Sequence, residues 1–132
     1  MRHRFFNSAA EIEEVINKCD VCYIGMSDKD GMPYVLPFNF AFEGNTIFLH
    51  SAREGKKIDI LKERPDVCIA FSADHHLRYQ NEEVACSWSM KYRAVLAYGK
   101  VSFINDFAKK TEVMNTIMRK YAGRDFKYNT PA

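Results

Sequence analysis

The 132-residue chain is 47% hydrophobic and 14% aromatic, which excludes a disordered polymer and suffices for one domain, residues 1–132, with its own core. Nineteen basic against 17 acidic residues, a net charge of +2, are too balanced to point to nucleic acid. No apolar run approaches the ~20 residues of a membrane helix, and the opening MRHRFFNSAAEIEE lacks the apolar core of a signal peptide, so a cytoplasmic protein is expected.

Ser8 and Glu11 have capping-box spacing, and Ile12, Val15, Ile16 and Cys19 follow at helical intervals, which predicts a helix over 9–19. VCYIGMSD alternates as a strand, and DKDG turns the chain. Pro33–Phe42 reads as a second strand with Tyr34, Leu36, Phe38, Phe40 and Phe42 on one face. Glu43-Gly44-Asn45 leads into a third strand, Thr46–Ser51. A helix over 56–63 must end before Pro65, which disfavours helical geometry in Arg64. Val67–Ala73 alternates again, Asp74–Glu83 is polar enough for a loop, and Val84–Ile104 reads as one long strand that has to bend. Asn105 or Asp106 caps a last helix, striped by Phe107, Met114, Ile117, Met118 and Tyr121 and stopped by Gly123. About five antiparallel strands with helices at their connections predict a mainly β fold with α, a small Greek-key or split barrel. Cys22, Cys68 and Cys86 fall inside apolar strand patterns, where free thiols serve as small hydrophobes.

The most chemically informative segment is Thr46–Leu61. A strand delivers the chain into Gly55-Lys56-Lys57, which opens a helix, so backbone N–H groups, two lysines, Arg53 and the Ser51 hydroxyl converge. Lysines in a first turn oppose the helix dipole, and an anion there relieves the conflict. An aromatic and aliphatic strand precedes this cradle, so the expected ligand is a flat ring system carrying a phosphate, such as FMN.

GMPYVLPFNFAF, NTIFLHSAREGKKIDIL and, after a gap, KYRAVLAYGKV together resemble the FMN-binding split-barrel superfamily of pyridoxamine 5′-phosphate oxidase over about residues 10–125, most closely its 5-nitroimidazole-resistance branch. The resemblance implies a homodimer with two FMN molecules at the subunit interface and flavin-dependent reduction of a small acceptor such as a nitroaromatic, with NADH or NADPH as electron donor. It places the flavin ring and ribityl chain along Tyr34, Val35, Leu36, Pro37, Phe38 and Asn39, with the phosphate at Ser51, Arg53, Lys56 and Lys57. His50 falls where flavin or substrate is contacted, and it is the candidate proton donor. Trp88, Met90, Tyr92 and Arg93 lie in the strand that crosses the family's dimer interface and helps to cover the flavin, and Arg93 in that apolar setting calls for an anionic partner. The family carries one more strand after the last helix; the sequence ends at Pro131-Ala132 without it, which reads as a truncation.

Pro37 has no N–H to give to a ladder, so its strand is expected at an edge or beside a ligand. Cys19-x-x-Cys22 and His75-His76 lack the second spaced pair of a zinc site, and no metal is expected. Two other readings stay open. One is a non-catalytic flavin or haem binder with His50 and His76 as haem ligands. The other is an oxidase of a different substrate, because the substrate-binding arginine and tryptophan near the C-terminus of authentic pyridoxamine phosphate oxidase have no counterpart after Gly123.

Overall fold

The computed structural model describes residues 8–127. Helix α1 (Ala9–Lys18) starts as its sequence predicts, with the Ser8 hydroxyl accepting the Glu11 N–H at 3.4 Å, and it buries Val15 and Ile16. Strand β1 (Cys22–Ser27) turns Cys22, Ile24 and Met26 into the core. The DKDG turn is closed by the Asp28 carboxylate, which accepts the N–H groups of Asp30 and Met32, each at 2.9 Å. Strand β2 (Pro33–Phe38) then returns antiparallel to β1, with Ile24 opposite Leu36.

The expected strand 33–42 is two strands. It breaks at Asn39, and β3 (Phe40–Glu43) pairs with β4 (Thr46–Leu49) in a separate sheet, while β2 stays in a four-stranded sheet with β5 (Asp66–Arg78) and β6 (Ser89–Lys100), in the order β2-β1-β5-β6. The cause lies in the last helix, α3 (Phe107–Ala122). The Tyr121 hydroxyl accepts the Phe40 N–H at 3.0 Å and donates to the Asp20 carbonyl at 2.7 Å, and the Asn39 amide donates to that carbonyl at 3.3 Å. Tyr121 thus replaces the ladder partner that Phe40 gives up on leaving β2. The aromatic row still faces inward across the break, since Phe38 and Phe40 are both buried and Phe40 meets Phe71 edge-on at 5.1 Å. Tyr121→Phe should therefore cost about 1–3 kcal/mol, the usual penalty for orphaning a part-buried donor. Urea titration should show a lower midpoint at unchanged slope, and an unchanged midpoint would remove the hydroxyl from this account.

Helix α2 (Lys56–Glu63) ends before Pro65 as expected. The strand expected over 67–73 continues, as β5, to Arg78, because a bulge at Asp74–His75 lets pairing with β6 (Ser89–Lys100) resume at His76 opposite Lys91. Asp74 takes a left-handed φ of 57°, and its carboxylate is held by Lys18 at 3.0 Å and Arg93 at 3.1 Å. The segment 76–78 had no readable alternation because both its faces are exposed. The long strand expected over 84–104 is shorter at both ends: Ala85–Ser87 forms a 3₁₀ turn that leaves Cys86 exposed, and β6 stops at Lys100. Among the described residues there are six strands rather than about five, in two antiparallel sheets split from each other. Helix α3 begins at Asp106, whose carboxylate accepts the Lys109 N–H at 2.9 Å, and ends on Gly123 at φ 74°. It covers Ala41 of β3 with Val113 and Ile117.

The four-stranded sheet covers its core on one face only. On the other, the register aligns two rows across the strands, Pro37–Tyr23–Ala70–Leu96 and Val35–Gly25–Cys68–Tyr98. Tyr23, Val35, Leu96 and Tyr98 are 52%, 60%, 61% and 79% exposed. This is a contiguous apolar surface with small residues along its middle. Among the described residues, no helix is long and apolar enough to cross a membrane.

Candidate functional site

A cleft of about 1310 Å³ opens between the two sheets, floored by apolar side chains that include Phe38, Ile47, Leu49, Val67 and Ile69, with α2 and α3 along its sides. Its charge composition is one-sided. Arg53, Lys62, Lys100, Lys109 and Lys110 line it, and among the described residues no aspartate or glutamate does, although the chain carries 17 of them. A cavity with an apolar floor and only cationic charges suits a ligand with an apolar body and an anionic end.

The chain enters this cleft from β4. His50 lies just past the strand rather than within it; it is exposed and lines the cleft with Ser51, Ala52 and Arg53. The Ser51 hydroxyl donates to the Ala52 carbonyl at 3.0 Å, which leaves its oxygen free to accept. Gly55 opens α2 at φ 134°, a value that strains any residue with a Cβ, and no side chain caps the helix start. An uncapped first turn presents N–H groups to an anion.

The expected residues fall into three groups. The strip Tyr34–Asn39 and the loop His50–Lys57 are joined by cation–π contacts, Lys56 over Tyr34 at 4.6 Å and Lys57 over Phe38 at 5.5 Å; of the expected residues in these two groups, Phe38, His50, Ser51 and Arg53 line the cleft, while Lys56, Lys57 and the rest of the strip stand outside its lining. Within the strip, Tyr34, Leu36 and Phe38 turn toward the core, whereas Val35 and Pro37 lie on the exposed outer face of β2, an edge strand as Pro37 requires. Asn39 holds the sheet crossing through Asp20, so part of its amide is already engaged.

Trp88, Met90, Tyr92 and Arg93 form the third group, which stands apart. The cleft reaches β6 at Ala97–Lys100, so Arg93 is about 13 Å further along the strand at 3.3 Å per residue. Trp88 lies outside β6, its ring 4.3 Å from Tyr79 and its indole N–H donating to the Glu82 carbonyl at 3.0 Å. The Tyr92 ring stacks on His75 at 6.4 Å. Arg93 finds its anions within the chain, Glu14 and Asp74, each at 3.1 Å. Both carboxyls are held below their usual range, Glu14 chiefly by Arg93 and then Lys18, Asp74 chiefly by Lys18 and then Arg93.

Four further cations of the cleft were missed. Lys62 closes α2, Lys100 ends β6, and Lys109 and Lys110 open α3, so their convergence is tertiary. The one local signal was the pair of lysines in a helix first turn, repeated at the start of α3. His76 lies on β5 seven residues, roughly 23 Å, beyond Ile69 of the cleft. His76 is not among the residues that line the cleft with His50. Among the described residues, no group of three His, Cys, Asp or Glu side chains could hold a metal ion. All four cysteines are free; Cys19 Sγ donates to the Val15 and Ser72 carbonyls, and burial pushes the Cys22 thiol up to about 11.

The family model described as pyridoxamine 5′-phosphate oxidase matches residues 8–132. Among solved structures, a candidate 5-nitroimidazole antibiotic resistance protein from Bacteroides thetaiotaomicron is 38% identical with a TM-score of 0.84, over 100% of this chain and 84% of that one. The flavocytochrome Anf3 from Azotobacter vinelandii (21% identity, TM-score 0.74, 86% of this chain and 51% of that one) shares the fold. So does the FAD and heme binding protein from Mycobacterium smegmatis (16%, TM-score 0.77, 94% and 61%). A comparison with curated proteins gave no match.

Proposed function

Because the chain belongs to the pyridoxamine 5′-phosphate oxidase family, we propose that it is a cytoplasmic FMN-binding homodimer that reduces a small acceptor such as a nitroaromatic, with NADH or NADPH as donor. The observation that carries this reading is the cleft, apolar at its floor, cationic at its rim and with no aspartate or glutamate among the described residues that line it. FMN fits these residues: a flat apolar ring needs the floor, and a phosphate dianion needs an uncapped helix start with cations beside it. A bound flavin supplies reversible acceptance of a hydride, taken from the donor and passed on with a proton to the acceptor.

The chain's own residues bind, orient and shield. Ser51, Arg53, Lys56, Lys57 and the N–H groups of the α2 first turn hold the phosphate. The strip Tyr34–Asn39 lies along the ring and ribityl chain, and His50 packs at the mouth of the cleft. Met90, Tyr92 and Arg93, too far along β6 to reach the cleft of their own chain, are assigned with Trp88, which precedes that strand, to the site of a second copy. The exposed rows on the outer sheet face support that assignment, since an apolar surface that carries Val35 and Pro37 of the strip is best covered by another such surface.

No carboxylate lines the cleft to tune the His50 imidazole, and flavin chemistry can draw its protons from solvent. His50→Phe should therefore retain most FMN affinity and change both half-reactions little. Rapid mixing of the variant first with NADPH and then with a nitroaromatic tests this. A loss of ~10²–10⁴-fold confined to acceptor reduction would instead make His50 a general acid.

A further inference from the structure

Strand β1 accompanies β5 only as far as Ala70, and Ala73 opposite Arg93 is the last β5–β6 pair before the bulge. Beyond it the two strands run on as an arm, with His76, Leu77 and Arg78 opposite Lys91, Met90 and Ser89. The tip of the arm is held by its own contacts. The Tyr79 and Trp88 rings meet at 4.3 Å, and the Trp88 indole donates to the Glu82 carbonyl at 3.0 Å. The Ser87 hydroxyl donates to the Asn81 carbonyl at 2.6 Å and accepts the Asn81 N–H at 3.1 Å. Leu77, Tyr79, Met90 and Tyr92 are exposed, so the arm buries little against its own chain and its direction is set at its root.

A bulge bends its strand, and everything beyond is aimed from there. Asp74, in this bulge, is the one residue other than glycine with a left-handed φ, 57°, among the described residues. Aspartate tolerates that conformation better than most side chains, and it persists where the surroundings hold it. Here they do. Lys18 donates to both carboxylate oxygens of Asp74, at 3.0 and 3.1 Å, and Arg93 donates to one of them at 3.1 Å. Arg93 and Lys18 also reach Glu14, at 3.1 and 3.4 Å. Glu14 and Lys18 belong to α1, which the buried Val15 and Ile16 anchor in the core. The cluster thus ties the bulge to a fixed helix on one side and to β6 on the other. Ion pairs this exposed add little to global stability, so what the network supplies is geometry.

We propose that Asp74 is a positioning residue: clamped between Lys18 and Arg93, it aims the arm so that Trp88, Met90 and Tyr92 reach the flavin of a second copy. The proposal rests on the flavin and dimer reading above and adds the device that sets the direction of the arm. Asp74 acts through the arm and needs no contact with flavin or acceptor.

Trp88 is the single tryptophan of the chain. Its emission overlaps flavin absorption, so a flavin beside it quenches it. The test follows Trp88 fluorescence and FMN affinity as FMN is titrated into wild type, Asp74→Asn, Lys18→Ala and Lys18→Arg. Asparagine accepts a left-handed φ as aspartate does, so Asp74→Asn removes the charge without straining the backbone. Lys18→Ala loosens the clamp from outside the arm. FMN should quench Trp88 in wild type. Both loosening variants should lose most of that quenching and bind FMN about 5- to 50-fold more weakly, the scale of coupling between separate sites, with urea midpoints close to wild type. Lys18→Arg, which keeps the charge, should behave as wild type. If either loosening variant keeps wild-type quenching and affinity, the proposal is overturned and the flavin reading stands. A loss that Lys18→Arg shares, or that comes with a lowered urea midpoint, makes the cluster a general stabiliser and overturns the proposal too. FMN binding to wild type without quenching of Trp88 shows that the arm does not reach a flavin, which again sinks the proposal alone. If wild type takes up no FMN, the flavin reading itself fails, and the proposal with it.

Discussion

Replacing Lys56 and Lys57 together with Ala should weaken FMN binding by about 2–4 kcal/mol, since each charge-assisted contact is worth roughly 1.5–3 kcal/mol. Both lysines open α2 behind an uncapped Gly55, where backbone N–H groups already favour an anion. Their ammonium groups rest over Tyr34 and Phe38, so they bridge the loop 50–57 to the strip Tyr34–Asn39. Riboflavin, which lacks the phosphate, should bind wild type weakly and respond little to the double substitution. Fluorescence titration with both ligands separates charge from packing. Equal losses for FMN and riboflavin would show that the lysines support the strip and not a phosphate.

Leu96→Asp combined with Tyr98→Asp should convert the protein to a monomer and release flavin. In wild type, sedimentation at micromolar concentration should give about twice the 15.3 kDa chain mass. Leu96 and Tyr98 close the two apolar rows of the outer sheet face, and a carboxylate desolvated there without a partner costs several kcal/mol. Both side chains are exposed in the single chain, 61% and 79%, so the change should leave the fold intact by circular dichroism. A monomeric wild type that holds stoichiometric FMN would refute the interfacial site.

Much of the architecture was legible because its signals are local. Ser8 with Glu11, the DKDG turn, Pro65 after α2 and Gly123 after α3 each set a boundary through chemistry within a few residues. The break at Asn39 was not, because Tyr121, 81 residues after Phe40, supplies the hydrogen bond that lets Phe40 leave the sheet. The extension of β5 past Asp74 was equally hidden. It depends on a bulge held by Lys18 and Arg93, and the strand beyond it has no buried face to imprint a period. Of the cleft lining, His50–Arg53 was legible because one continuous segment carries it. The further cations were not, since Lys62, Lys100 and Lys110 belong to three elements that only the fold brings to one cleft.

The central claim is that this cleft holds FMN. The most direct measurement is the absorbance spectrum of the protein as purified, followed by denaturation, chromatographic identification of any released chromophore and, for colourless protein, titration with FMN. The account predicts a yellow protein that releases FMN, or a colourless one that takes up FMN stoichiometrically. A Soret band without flavin, or protein that binds no FMN at any concentration tested, would contradict it.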